Sequence, residues 1–255
     1  MNSTLRMYER SARVYRGVWR GSVFSSFVNP LLYLVAMGIF LGNLVDKQTG
    51  GIAGVAYLEF LAPGLLAATA MQAGAGDSSW PVLAGIEWQR YYLAALATPL
   101  STRDLVIGHL AWVATRVTLV SVIFVLVATA LGAMTLTGGL LAIIPVVLTG
   151  LAFAGFVTWF AAKLEDGIGL TNLFRFGIMP LFLFSGTFFE ISRLPDWMEP
   201  VAYLTPLWHG VELARSLSLG VEPTFSRATH AGVLVVFITI GTALAVRQFE
   251  KRLVV

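Results

Sequence analysis

The residues most capable of chemistry fall in two short stretches. Gly74-Ala75-Gly76-Asp77 sets a carboxylate behind small residues at the end of an apolar run, an arrangement that suits aspartate-catalysed hydrolysis inside a membrane. That reaction needs a second aspartate close enough to share a proton, and no Tyr-Asp pair occurs in the sequence to provide one. The other stretch, SGTFFEISRLPDWMEP (Ser185 to Pro200), gathers Glu190, Arg193, Asp196, Trp197 and Glu199 directly after a long hydrophobic run. It reads as a catalytic loop, a lid over a pathway or an interfacial turn. Elsewhere His109, His209 and His230 are scattered with no H-E-x-x-H, and there is no cysteine to bind metal or form a disulfide. Without G-x-x-x-x-G-K-[ST] the chain has no phosphate-cradling loop of its own. No covalent catalysis, and no cofactor or metal site within this chain, is expected.

A charge inside apolar sequence is more informative. His109, Trp112 and Arg116 recur at i, i+3 and i+7, one face of a helix, with Arg116 about two turns or more inside a hydrophobic segment. A lipid-facing arginine at such depth costs about 3 kcal/mol, so it turns to the bundle interior or a polar cavity. Two uses stay open. Either His109 and Arg116 line a pathway for an anionic or polar headgroup, or Arg116 closes an internal ion pair or snorkels to the nearer surface.

These residues need a scaffold, and the composition names its class. Of 255 residues, 57% are hydrophobic and 12% charged, about half the charge of a soluble domain. The chain therefore reads as an all-α polytopic membrane protein. Its net charge of +3 is too small to argue for a nucleic-acid partner. Segments near the ~20 residues needed to span a bilayer fall at 23–42, 56–76, 106–131, 139–161, 170–189 and 229–246. The first is too long for a signal-peptide core and lacks an A-x-A site, so it is read as a retained span. Six spans leave both termini on one face, which carries eleven Lys and Arg against four on the other. That bias places the termini in the cytoplasm.

Between the spans, three segments are expected to carry function. In residues 5–20 five arginines fall within one arc opposite Met7, Tyr8, Val14, Tyr15, Val18 and Trp19, which predicts an interfacial helix. Residues 87–97 predict a short amphipathic helix on the cytoplasmic side, with Glu87 and Arg90 on its wet face and Thr98-Pro99 ending it. Ser101-Thr102-Arg103-Asp104 then reads as a capping box that opens span three. Residues 190–220 predict two helices too short to cross: a turn from Pro195-Asp196 to about Pro200, then a helix opened by Thr205-Pro206 and closed by Gly220. These would be re-entrant or lie on the outer surface, with Trp197, Tyr203 and Trp208 at headgroup level. Asn29-Pro30 and Pro180 are expected to kink spans one and five. Such a chain is either the membrane half of a transporter driven by a separate ATPase, or a self-contained carrier or membrane enzyme. No inverted repeat or midplane carboxylate supports a carrier.

The stretches Tyr57–Met71, Leu100–Leu119, Leu148–Phe156 and Phe184–Arg215 resemble type-2 ABC exporter permeases, on the branch that includes the nodulation-factor and drug export permeases. The most specific carries an S-G-x-x-F…P…T-P-L-x-H pattern. The resemblance implies a six-helix permease with an N-terminal interfacial helix, a cytoplasmic coupling helix and extracellular re-entrant helices. It implies a second permease copy, identical or a close paralogue, and two ATPase subunits that hold ATP and Mg. By position, Glu87, Trp88, Gln89, Arg90 and Tyr91 would face the ATPase. Glu190, Arg193, Asp196, Trp197, Trp208 and His209 would form the extracellular gate. Aromatics near the span ends, not along a channel, leave glycolipid, lipid-linked saccharide or hydrophobic drug as cargo.

Overall fold

The computed structural model describes residues 3–52 and 54–254. Helix α1 (Ser3–Tyr33) passes through a π-helical stretch, Leu34–Leu41, into α2 (Gly42–Thr49). Then come α3 (Tyr57–Asp77), α4 (Trp80–Glu87), α5 (Tyr91–Leu96), α6 (Thr102–Ala130) and α7 (Leu136–Ala161). Helix α8 (Ile168–Leu173) joins α9 (Met179–Phe184) through a π-helical stretch, Phe174–Ile178. A 3-10 turn (Ile191–Arg193) leads to α10 (Glu199–Tyr203), α11 (Pro206–Leu219) and α12 (Arg227–Leu253). Among the described residues the only extended pairing is an isolated bridge between Ile52 and Val55.

Four stretches are long and apolar enough to cross a membrane: Leu31–Gln48, Thr102–Ala130, Leu136–Ala161 and Arg227–Leu253. Helix α3 has 21 residues but carries Glu59 and Asp77, and Ile168–Phe184 is shorter than a full crossing. Proline explains one irregularity. Pro180 sits in the first turn of α9 and has no N–H for the Phe176 carbonyl. The ladder there slips to a wider register, with Met179 N–H reaching the Phe174 carbonyl, so Pro180 goes with a π-helical stretch. The kink expected at Asn29-Pro30 falls on side chains outside the described residues.

Helix α7 is the hub, flanked by α3, α6, α11 and α12. Small residues let these backbones close up, as membrane helices require in the absence of a hydrophobic drive between them. A Cβ on Gly155 would stand 3.0 Å from the Gly241 backbone of α12, and one on Gly150 would stand 2.9 Å from the Ala70 carbonyl of α3. Helix α1 runs alongside α6: Thr4 bonds Asp104 at 2.8 Å, Tyr8 meets Thr115 at 3.2 Å and Tyr15 meets Arg116 at 2.9 Å. The aromatic face read from residues 5–20 is thus divided. Met7 is buried and Tyr8 and Tyr15 lean on α6, while Val14, Val18 and Trp19 stay exposed beside Arg13, Arg16 and Arg20.

Candidate functional site

At one end of the bundle, α4 and α5 form a bent corner where a single helix over 87–97 was expected. Trp88 and Gln89 N–H both return to the Ala84 carbonyl, and Arg90 takes a left-handed backbone (φ 51°) before α5 begins. Helix propagation stops at such a residue. Trp88, Gln89 and Arg90 are exposed at the tip. Beneath them the mount is stiff. Tyr92 is fully buried and meets Phe249 of α12 edge-on at 5.0 Å, and burial raises its phenol well above its usual value. Tyr91 is tilted over Tyr92 at 4.2 Å, with the Arg10 guanidinium 3.4 Å from its ring centre. Glu87 is ion-paired with Arg252. The capping box forms as read: Ser101 Oγ accepts from Asp104 N–H at 3.2 Å, and Asp104 accepts from Ser101 N–H at 3.1 Å.

Beside this corner, α1, α3, α4 and α6 line a cavity of about 320 Å³ whose mostly apolar wall carries Arg10, Tyr15, Asp77, His109, Trp112 and Arg116. Arg116 Nε pairs with Asp77 at 3.2 Å, and its Nη1 donates to Tyr15 Oη at 2.9 Å and Ser22 Oγ at 2.6 Å. Of the two uses left open, the internal ion pair is formed. His109 lies 3.4 Å from Ser78 Oγ, buried on the same face.

At the opposite end the insertion after α9 divides into rim and core. Arg193 and Glu190 make a weak exposed pair at 3.8 Å, and Asp196 and Trp197 are exposed. Trp208 and His209 are buried among Tyr203, Phe225 and His230, so Trp208 packs inside the protein and is not on its surface. Thr205 caps α11 by accepting from Trp208 N–H at 3.3 Å, and Gly220 closes it at φ 73°, as the sequence predicts. The turn expected from Pro195-Asp196 forms, with Met198 N–H donating to the Pro195 carbonyl at 2.8 Å, and runs straight into the helix that holds Pro200. Pro200 occupies the first turn of α10, where its missing N–H costs nothing. Tyr203 donates to Glu199, and that bond pushes its phenol up to about 12. Behind the rim lies a cavity of about 370 Å³ faced by Glu190, Glu199, Tyr203, Trp208, Glu212 and Arg215.

Residues 3–219 match the ABC-2 type transporter family. The chain belongs to that family. Among curated relatives, this ABC-2 permease is 32% identical to nodulation protein J of Rhizobium leguminosarum bv. trifolii over 250 residues, covering 97% of this chain and 92% of the relative. It is 31% identical to nodulation protein J of Rhizobium meliloti (strain 1021) over 250 residues, with 97% and 92% coverage. It is 25% identical to the inner membrane transport permease YadH of Escherichia coli (strain K12) over 215 residues, with 84% and 82% coverage. The chain is a membrane transport subunit and not itself a catalyst, as the resemblance implied.

Sequence reasoning on this ABC-2 permease missed three side chains. Arg215 was counted as an outer-face charge, yet it is buried. Its Nε and Nη2 donate to the Phe60 and Thr187 carbonyls at 3.3 and 3.2 Å, and burial lowers its pKa to about 10. Its i, i+4, i+8 register with Leu207 and Val211 was the available signal. Arg252 and His230 gave no signal, since their partners lie in distant elements.

Proposed function

We infer that the chain is the permease subunit of an ATP-driven exporter in the bacterial inner membrane. Six spans and two cytoplasmic termini frame it, with α10 and α11 as re-entrant helices on the outer side. It works as a pair of permeases with two ATPase subunits that bind ATP and Mg. The cargo is amphipathic, a glycolipid, lipid-linked saccharide or hydrophobic drug. It enters from the cytoplasm or inner leaflet near the Arg116 cavity and leaves past the Glu190–His209 gate. The observation that carries this reading is the exposed Trp88–Arg90 corner on a buried aromatic and ionic mount. A stiff, solvent-facing tip transmits a push, whereas a free loop absorbs it.

Co-expression with a P-loop ATPase subunit tests this reading. Wild type is expected to co-purify with the ATPase and change its turnover. Trp88→Ala and Arg90→Gly, the latter compatible with the left-handed backbone, should lower that stimulation several-fold while the permease stays folded. The reading fails if no ATPase is retained, or if the chain alone in liposomes translocates a fluorescent lipid-linked saccharide.

A further inference from the structure

The corner is anchored to more than its own loop. Arg252, in the last turn of α12, holds Glu87 of α4 with one guanidinium nitrogen, while the other donates to the Ala162 carbonyl just past α7 at 2.7 Å. The side chains of Arg252 and Glu87 are only 18% and 30% exposed. Its neighbours Arg247 and Lys251 are exposed, as ordinary cytoplasmic-side charges would be. Two further contacts come from the same turn. Glu250 accepts from Thr102 Oγ1 at the start of α6 at 3.3 Å, and Phe249 is fully buried against Tyr92 of α5. One helical turn therefore touches α4, α5, α6 and the end of α7.

The chemistry of that turn is specific. The last carbonyls of a helix have no partner within it and favour a cation, and Ala162 is such a carbonyl. A planar guanidinium can serve it and a carboxylate at once, which an ammonium point charge does poorly. If Glu87 moves relative to Ala162, either Arg252 is dragged along or shielded charges are left unpaired, an expensive outcome. We propose that Arg252 is a positioning residue that carries displacement of the Trp88–Arg90 corner into α7 and α12. This rests on the reading of that corner as the ATPase contact.

Hydrogen exchange on the assembled transporter in nanodiscs, nucleotide-free against MgATP with vanadate, tests the proposal. Wild type should show nucleotide-dependent exchange differences in residues 80–96 and also in α7 and α12. In Arg252→Met, with ATPase co-purification and thermal midpoint retained, the difference in 80–96 should persist. That in α7 and α12 should fall to less than half. Arg252→Lys, which keeps a cation able to bond Glu87 or the Ala162 carbonyl, should recover part of it. Wild-type differences in Arg252→Met overturn the proposal, as does an Arg252→Lys protein no different from Arg252→Met, which marks local packing. Loss of ATPase binding in Arg252→Met also overturns it, since Arg252 would then support docking and not transmission. If wild type itself retains no ATPase, it is the exporter reading that falls.

Discussion

His209 and His230 meet with their Nδ1 atoms 2.8 Å apart, and the surrounding bonds fix who donates. His209 Nε2 faces the Tyr203 carbonyl at 2.9 Å, so it carries the proton and its Nδ1 is bare. His230 Nε2 accepts from Phe225 N–H at 3.3 Å, so His230 donates through Nδ1. All four ring nitrogens are satisfied with both rings neutral, and one added proton sets two donors face to face. The carboxylate that acts on both rings is Glu212 on α11. Burial lowers the His209 pKa below 6.5. With the folded value depressed, its contribution to stability is complete above about pH 6.5. It is lost as the pH falls through the folded value. The thermal midpoint of wild type should drop by a few degrees between pH 7 and pH 5. His209→Phe should start lower at neutral pH and fall less over that window. Equal slopes for the two proteins would remove the pair as the cause. None of this was legible in the sequence, where the two histidines are 21 residues apart and the intervening loop decides their meeting.

Helix packing at the scale of elements depends on where a methyl group has no room. A Cβ on Gly241 would stand 3.0 Å from Phe156 N and 3.1 Å from the Gly155 carbonyl carbon, all of it backbone that cannot step aside. Gly232, on the same helix, has nothing within 4 Å. Gly241→Val should therefore cost about 1–3 kcal/mol through overpacking and reduce the monodisperse fraction on size exclusion. Gly232→Ala should be neutral or stabilising by up to about 1 kcal/mol, because the helix gains a better former. If both variants behave alike, the α7–α12 contact is not a close one. What the sequence revealed at this scale follows from how local each signal is. The Ser101–Asp104 box and the Thr205-to-Gly220 helix are written within a few residues, and both form. The 87–97 helix was misread because Arg90 adopts a left-handed backbone without being Gly or Asn. Amphipathic spacing continues straight through it. Glu87 and Arg116 were visible as charges, but Arg252 and Asp77 become their partners only once α12 and α3 are in place.

For the whole molecule, orientation decides which end meets the ATPase and which meets the exterior. In the proposed six-span arrangement, eleven of the Lys and Arg side chains would lie on the face bearing the α4–α5 corner and the termini, and four on the face bearing α10 and α11. Four stretches clear the length and hydropathy needed to cross, so the proposed six-span count turns on α3 and on Ile168–Phe184. Both carry an interruption, Pro63 in one and the π-helical stretch in the other. Such irregular helices are tolerated where neighbours re-satisfy the freed backbone. The chain has no cysteine, so one introduced thiol reports its own location without background. Gln89 sits at the exposed corner and Asp196 on the exposed rim of the far insertion. In spheroplasts, Asp196→Cys should react with a membrane-impermeant maleimide, while Gln89→Cys should react only after the membrane is opened. The reverse pattern would invert the molecule and place the proposed gate beside the ATPase. Equal labelling of both positions in sealed spheroplasts would mean that the segments between them cross an even number of times, so that Ile168–Phe184 fails to span. Labelling split across the membrane requires an odd number of crossings between residues 89 and 196, and α6, α7 and Ile168–Phe184 supply three only if the short, π-interrupted segment goes through.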